Sequence, residues 1–170
     1  FSPPTAAQRR EARHAFGYPD DVLVIGCAAA IKKTHKRLDY LISEFSDFRR
    51  QTGRSTVLLL AGAWETESPI IEEAAGEADD SHVTILYNLP PDRMKSFYHC
   101  LDVFVLSSLF EMLGIVLLEA MASGVPCLAH NHPVLEWVVG PGGETIDMAK
   151  KGALTRSLAG VNEGWLRAHG

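Results

Sequence analysis

Short, continuously hydrophobic runs recur along this chain, and longer segments with helical patterns separate them. Because strands buried on both faces carry apolar residues at successive positions, such runs are typical of a parallel sheet. The candidate strands are VLVIGCA (22–28), TVLLLAG (56–62), VTILY (83–87), DVFVLSS (102–108), VPCLAH (125–130) and GGETID (142–147). The pattern predicts an α/β domain, with a doubly wound, Rossmann-like parallel sheet of about six strands and helices on both faces.

Helical patterns lie between these runs. TAAQRREARHAF (5–16) begins with a threonine suited to capping a helix, and KRLDYLISEFSDFRR (36–50) has apolar residues at helical spacing. PPDRMKSFYHC (90–100) begins with two prolines, which favour a helix start. We interpret the acidic run EEAAGEADD (72–80) as a solvated helix face. Each helix is expected to connect one strand to the next.

Composition and length bound the kind of protein. The 170 residues are 46% apolar and 22% charged, which suits one globular domain with its own core. The net charge of −5 gives no general attraction for nucleic acid or anionic lipid, so a phosphate site must be local. No apolar run approaches the roughly 20 residues of a membrane helix. Because the chain begins at Phe1 and not at methionine, we expect a piece of a longer protein.

The three cysteines, Cys27, Cys100 and Cys127, lack C-x-x-C or zinc-finger spacing, which indicates a reduced, cytoplasmic chain. Two histidines, His130 and His132, follow the fifth candidate strand. Two histidines alone do not make a catalytic zinc site, so we interpret this segment as a polar loop and predict no metal.

Ligands of doubly wound sheets bind at the carboxyl ends of the strands. The segments there contain neither G-x-G-x-x-G nor G-x-x-x-x-G-K-[ST], which argues against a dinucleotide dehydrogenase and a P-loop enzyme. The chain also lacks D-x-D, a common sign of a metal-bridged sugar nucleotide.

One apolar segment, SSLFEMLGIVLLEAMASGVPCLAH (107–130), contains two glutamates, Glu111 and Glu119. Gly114 can provide the turn into a helix over about residues 115–123, because glycine tolerates unusual backbone angles. Apolar residues surround Glu119 on that helix, so we expect the helix to be buried nearly all round. Burying an unpaired carboxylate costs several kcal/mol, so hydrogen bonds from the protein or a ligand must compensate.

Side chains on a helix lean toward its N-terminus, so Glu119 is expected to point back toward the loop that carries Glu111. The same place presents free N–H groups and the positive end of the helix dipole, which suit phosphate. Carboxylates there would accept hydrogen bonds from sugar hydroxyls. The alternative is that Glu119 bonds a backbone N–H or a lysine and that Glu111 is a solvated loop residue. Spacing alone leaves both interpretations open.

The pattern S-x-x-E-x7-E-A-M-A-x-G-x-P, spelled by residues 108–126, closely resembles that of the retaining GT-B glycosyltransferases of family 4. KRLDYLI (36–42) resembles the family's K-G-x-D-x-L-I, and DVFVLSS (102–108) resembles its a-D-v-f-v-x-P-S. The resemblance covers nearly the whole chain and corresponds to the C-terminal half of a two-domain enzyme. It implies that residues 1–170 form the nucleotide-sugar donor-binding domain, without the N-terminal acceptor domain.

The resemblance also implies roles for site residues. Glu119 matches the glutamate that binds the ribose of the donor, and Glu111 matches the acid near the transferred sugar and its developing charge. Lys36 matches the lysine that neutralises the diphosphate as the glycosidic bond breaks, so Lys36 and Glu111 are the predicted catalytic residues. Backbone N–H groups for the donor sugar and diphosphate would come from Met112, Leu113, Gly114 and Ile115.

The chain departs from the family pattern at several positions. The family usually has an arginine five positions before the lysine, where this chain has Ile31, and a glycine after the lysine, where it has Arg37. The usual Gly-Phe after the first glutamate is Met-Leu here. Because an isoleucine side chain cannot hold phosphate, either Lys33 or its neighbour Lys32 substitutes for the arginine, with Lys33 as the candidate, or the affinity for the donor is weakened.

Membership of the family would mean transfer of a sugar from a nucleoside diphosphate sugar to a hydroxyl, with retention and without a metal or other cofactor. The acceptor, a glycan, lipid or small molecule, would bind to the absent domain, which could also attach the protein peripherally to a membrane. We expect this chain alone to bind nucleotide and to transfer little sugar. Two alternatives are a sugar-nucleotide epimerase of similar fold and a catalytically idle nucleotide-binding module. Uridine, guanosine and adenosine donors are all compatible with the sequence.

Overall fold

In the computed structural model, which describes residues 1–78 and 80–170, six parallel strands form one sheet. The strands are β1 (Leu23–Ala28), β2 (Thr56–Gly62), β3 (Val83–Tyr87), β4 (Val103–Leu106), β5 (Cys127–His130) and β6 (Gly143–Ile146). Their order is β3-β2-β1-β4-β5-β6, which confirms the predicted doubly wound sheet. The order reverses between β1 and β4, so the carboxyl ends of these two strands flank the crevice where such folds bind ligands.

Helices fill the connections between strands, and the first five correspond to helical patterns in the sequence. They are α1 (Ala6–Ala15), α2 (Leu38–Thr52), α3 (Ser68–Glu77), α4 (Pro91–Cys100), α5 (Ile115–Ala122), α6 (Pro133–Val139), α7 (Ala153–Gly160) and α8 (Glu163–His169). Thr5 caps α1 reciprocally with Gln8, because each side chain accepts a hydrogen bond from the other residue's backbone N–H. Helix α2 begins later than its apolar pattern, because Arg37 adopts a left-handed conformation with φ of 51°.

Two hydrophobic cores cover the two faces of the sheet. Neighbouring residues of β1 point to opposite cores: Ile25 packs with α2, α3 and α7, and Val24 packs with α1, α4, α5 and α6. Both side chains are fully buried. Because successive side chains of β1 enter opposite cores, the strand must be apolar at every position. The predicted placement of helices on both faces of the sheet is confirmed.

The acidic run and the polar segment after β5 adopt different structures. The glutamates of the acidic run that lie in α3 are exposed while Ala75 on the opposite side is buried, as expected of a solvated helix face. Asp79, in the same run, lies outside the described residues. The polar segment after β5 is shorter than a loop interpretation implies, because α6 begins at Pro133 and His132 caps it by accepting from the N–H of Val134.

The three cysteines are free and buried. Burial raises the pKa of the Cys27 and Cys100 thiols to about 12, so both are protonated at neutral pH. In the described part of the chain, every helix is too short or insufficiently apolar to cross a membrane.

A buried glutamate that the sequence patterns did not indicate joins α2 to α7. Glu44 is 1% exposed, and its carboxylate accepts hydrogen bonds from the N–H of Gly152 at 2.6 Å and the N–H of Thr155 at 2.9 Å. These N–H groups belong to the first turn of α7, where no helical carbonyl can reach them. Glu44 therefore caps a helix that lies 108 positions further along the chain.

Replacing Glu44 by alanine is expected to lower the free energy of unfolding by about 2–3 kcal/mol, because buried donors lose their charged acceptor. Urea denaturation followed by circular dichroism measures the change. The matched control is Glu163→Ala, which removes an exposed carboxylate paired with Arg167 on α8. Exposed pairs contribute about 0–1 kcal/mol, so equal losses in the two variants would contradict the capping role.

Candidate functional site

A cleft of about 400 Å³ lies at the carboxyl ends of β1 and β4. Its walls come from the end of β1, the turn before α2, and the loop that leads from β4 into α5. The lining residues are Ala28, Ala29, Ala30, Lys36, Leu106, Glu111, Met112, Leu113, Gly114, Ile115 and Val116. A groove of similar volume, about 380 Å³, lies between α2 and α3 and contains none of the predicted site residues. The cleft at the switch point is thus the candidate site.

The start of α5 presents free backbone donors to this cleft. Gly114 precedes the helix with φ of 66°, a left-handed conformation that glycine adopts without strain. Within residues 1–78 and 80–170, no acceptor bonds the N–H groups of Met112, Leu113, Gly114 or Ile115. Together with the positive end of the helix dipole, these donors have the chemistry of an anion site.

The expectation that α5 is buried nearly all round is wrong. Leu117 and Ala120 are fully buried against the sheet, whereas Ile115 is 59% and Leu118 43% exposed. The helix covers the sheet with one stripe, and its other side faces outward beside the cleft. Apolar composition did not reveal this, because large apolar residues are also common on protein surfaces.

Lys36 and Glu111 meet inside the cleft. The Nζ atom of Lys36 lies 2.6 Å from Oε1 of Glu111, and the two side chains are 25% and 18% exposed. The hydroxyl of Ser107, at the end of β4, donates to the backbone carbonyl of Lys36 at 2.7 Å and ties the two walls together. Although the two residues are 75 positions apart, adjacent strands β1 and β4 bring their loops into contact. The cleft therefore contains a partly desolvated ion pair beside free N–H groups.

Glu119 lies one helical turn after Ile115 and is not among the residues that line the cleft. Its Oε2 atom accepts a hydrogen bond of 2.7 Å from the hydroxyl of Tyr98 on α4. Among the described residues, none donates to Oε1, and the side chain is partly exposed. Sequence reasoning missed Tyr98, although a tyrosine in the apolar part of a helix usually needs a hydrogen-bond partner when buried.

Lys33 is exposed and lies outside the cleft lining, with Nζ 3.5 Å from Oδ2 of Asp39. Its loop is held by Glu67, whose carboxylate accepts from the N–H groups of Lys33 and Thr34. Ile31, at the position of the family's arginine, is fully buried in the core. The structure thus brings together Lys36, Glu111 and the start of α5, and leaves Lys33 and Glu119 outside the cleft lining. The expected convergence of Glu119 with Glu111 on one cleft is therefore not observed, because Glu119 bonds Tyr98 on α4.

His130 at the end of β5 and His132 after it have protein partners. His130 Nδ1 accepts from the N–H of Met148 at 3.2 Å, and the ring of His132 packs edge-on against Phe110 with centroids 5.3 Å apart. In the part of the chain that the structure describes, no group of three or more His, Cys, Asp and Glu side chains is arranged to hold a metal ion.

Comparison with solved structures identifies the fold. Sucrose-phosphate synthase from Thermosynechococcus elongatus superposes with a TM-score of 0.84 at 23% identity, over 99% of this chain and 42% of that chain. Anabaena Alr3699/HepE, solved in complex with UDP and glucose, superposes with a TM-score of 0.83 at 16% identity, over 99% of this chain and 47% of that chain. The fold is that of the C-terminal domain of a GT-B glycosyltransferase.

Sequence comparison identifies the family. The D-inositol 3-phosphate glycosyltransferase of Corynebacterium urealyticum is 30% identical over 147 residues, which are 84% of this chain and 35% of that protein. The chain spans about one fifth to one third of the length of the curated relatives it matches. The family model described as glycosyl transferases group 1 matches residues 8–158. Because the family model matches most of the chain and the fold agrees with it, the chain belongs to the glycosyl transferases group 1 family.

Proposed function

We propose that this chain is the donor-binding half of a two-domain glycosyltransferase. In this proposal it binds a nucleoside diphosphate sugar, and the enzyme transfers the sugar to a hydroxyl of a glycan, lipid or small molecule with retention of configuration. The main support is the Lys36–Glu111 pair beside the free N–H groups at the start of α5, inside the switch-point cleft. The match to one part of longer relatives supports the two-domain organisation.

The proposed diphosphate site combines three attractions. The N–H groups of the loop before α5 donate hydrogen bonds, the helix dipole adds partial positive charge, and Lys36 adds a positive charge that Glu111 partly offsets. This local positive potential is needed because the whole chain carries a net charge of −5. In this proposal no metal takes part, and Lys36 and the backbone donors offset part of the phosphate charge.

Two carboxylates have separate proposed roles. Glu111 shares the cleft with Lys36, so its carboxylate can accept from hydroxyls of the donor sugar and stabilise positive charge that develops at the sugar. As the glycosidic bond breaks, Lys36 stabilises the negative charge on the leaving diphosphate. Glu119 lies a turn further along α5 and would accept from the ribose hydroxyls through the carboxylate oxygen that Tyr98 does not occupy.

The buried, unpaired cysteines support a reducing, cytoplasmic location.

Replacing Glu119 by alanine is expected to weaken nucleoside diphosphate binding about tenfold to a hundredfold, because a charged hydrogen bond contributes about 1.5–3 kcal/mol. Isothermal titration of the chain with UDP, GDP and ADP measures this change. The control is Glu136→Ala, which removes an exposed carboxylate of the same charge on α6. If wild type binds none of the three nucleotides, the proposed function is wrong; if both variants bind like wild type, the ribose role of Glu119 is wrong.

A further inference from the structure

The ring of Tyr98 packs within the core between α4, α5 and the sheet. The residue is fully buried. Its ring lies 5.2 Å from that of Phe97, 5.8 Å from that of Phe104 and 5.5 Å from that of Phe1, measured between centroids. Aromatic contacts on several sides restrict both side-chain torsions of the tyrosine. The position of its hydroxyl is therefore determined by core packing.

The hydroxyl can act only as a donor toward Glu119. Burial, and then the neighbouring carboxylate, raise the pKa of the Tyr98 hydroxyl far above its ordinary value, so it stays protonated. The O–H···O distance of 2.7 Å to Oε2 is typical of a strong hydrogen bond to a carboxylate. A rigid donor thus engages one oxygen of a flexible side chain.

This bond leaves the other carboxylate oxygen available. Glu119 is partly exposed, and no residue of 1–78 or 80–170 donates to its Oε1 atom. A free glutamate side chain loses rotamer entropy when a ligand orders it, and this loss reduces affinity. With Oε2 already held by Tyr98, most of that ordering precedes ligand binding.

We propose that Tyr98 is a positioning residue, which holds the Glu119 carboxylate in the orientation that accepts the ribose hydroxyls of the donor nucleotide. The inference rests on the proposed function and extends it to a residue outside the cleft. It predicts that the chain binds ribonucleotides more tightly than dideoxynucleotides, and it assigns part of that preference to a buried tyrosine. Tyr98 itself does not touch the nucleotide, so its effect passes through Glu119 alone.

The test compares Tyr98→Phe with wild type by isothermal titration of the full chain. UDP, GDP and ADP are titrated first, and then the 2′,3′-dideoxy form of the nucleotide that binds most tightly, which offers no ribose hydroxyl to Glu119. We expect Tyr98→Phe to weaken ribonucleotide binding about fivefold to tenfold and to leave dideoxynucleotide binding nearly unchanged, because only the contact with the ribose hydroxyls loses its orientation. The preference for ribose should fall accordingly.

The matched control is Tyr18→Phe. Tyr18 also donates a hydrogen bond through a partly buried hydroxyl, at 3.0 Å to Oγ1 of Thr84, and lies outside the cleft lining. This variant should leave the ribose preference unchanged, and urea denaturation of both variants separates stability from binding. A Tyr98→Phe protein that keeps the wild-type preference, whatever its stability, overturns the inference.

The outcomes separate this inference from the proposed function. Weaker binding by Glu119→Ala together with unchanged binding by Tyr98→Phe rejects the positioning role and leaves the donor site intact. Absence of binding by wild type to UDP, GDP and ADP rejects both. A loss of ribose preference in both variants, but not in Tyr18→Phe, supports both.

Discussion

Replacing Lys36 by alanine is expected to slow sugar transfer about 100-fold to 1,000-fold, the usual effect of removing one group that stabilises developing negative charge. The Lys36 ammonium lies in a partly desolvated cleft beside the free N–H groups of α5, where a charge contributes more than it does in water. The measurement needs the protein that carries this chain together with its proposed acceptor domain, supplied with labelled UDP-, GDP- and ADP-sugars. Formation of new glycoside is followed with time.

The paired residue should respond with opposite signs in binding and in transfer. Glu111→Gln removes a negative charge near the proposed phosphate site and frees Lys36 from its ion pair. Nucleoside diphosphate should therefore bind about tenfold more tightly, because like charges placed together in a site oppose binding. Transfer should nevertheless slow, since the amide cannot stabilise positive charge at the sugar. Lys36→Ala, in contrast, should weaken both.

Lys95→Ala is the control, because Lys95 is an exposed lysine on α4 and does not line the cleft. A Lys36→Ala enzyme with the wild-type rate would contradict the leaving-group role. The same assay separates the alternatives to transfer. An altered free sugar nucleotide would indicate an epimerase, and nucleotide binding without turnover would indicate an idle module. The idle module is worth testing because the buried Ile31 stands where the family usually has an arginine.

Replacing Asp102 by alanine is expected to lower the free energy of unfolding by about 3–5 kcal/mol, the typical cost of removing one partner of a buried ion pair. The Asp102 carboxylate accepts from the guanidinium groups of Arg9 and Arg13 and from the N–H of Val24 in β1. Arg13 is only 2% exposed, so it would be left charged in the core without a carboxylate partner. The network joins α1 to the start of β4 and to the central strand.

Urea denaturation measures this effect, and Asp47→Ala is the control. Asp47 also pairs with an arginine, but Arg50 is largely exposed, so its loss should change the free energy of unfolding by less than about 1 kcal/mol. Similar losses in the two variants would mean that the Asp102 network contributes no more than a surface pair. Because Asp102 lies at the amino end of β4, away from the cleft, its variant tests the fold and not the donor site.

Sequence patterns predicted most of the elements around the site. Hydrophobic runs located five of the six strands and the segment GGETID located the sixth, and Gly114 was recognised as the turn before α5 because a glycine turn precedes an apolar helix. The patterns missed the exposed side of α5, the capping role of Glu44 and the partner of Glu119. Each of these depends on which neighbour packs against a residue, and local spacing carries no information about such a neighbour.

By itself, the sequence determined where strands and most helices lie along the chain, the glycine turn before α5 and the presence of two acids in an apolar segment. These are properties of neighbouring residues. Only the tertiary structure decided that Lys36 meets Glu111 and that Tyr98 donates to Glu119. Both contacts join residues far apart in the chain. They form because β1 pairs with β4 at the switch point and α4 packs beside α5 in one core.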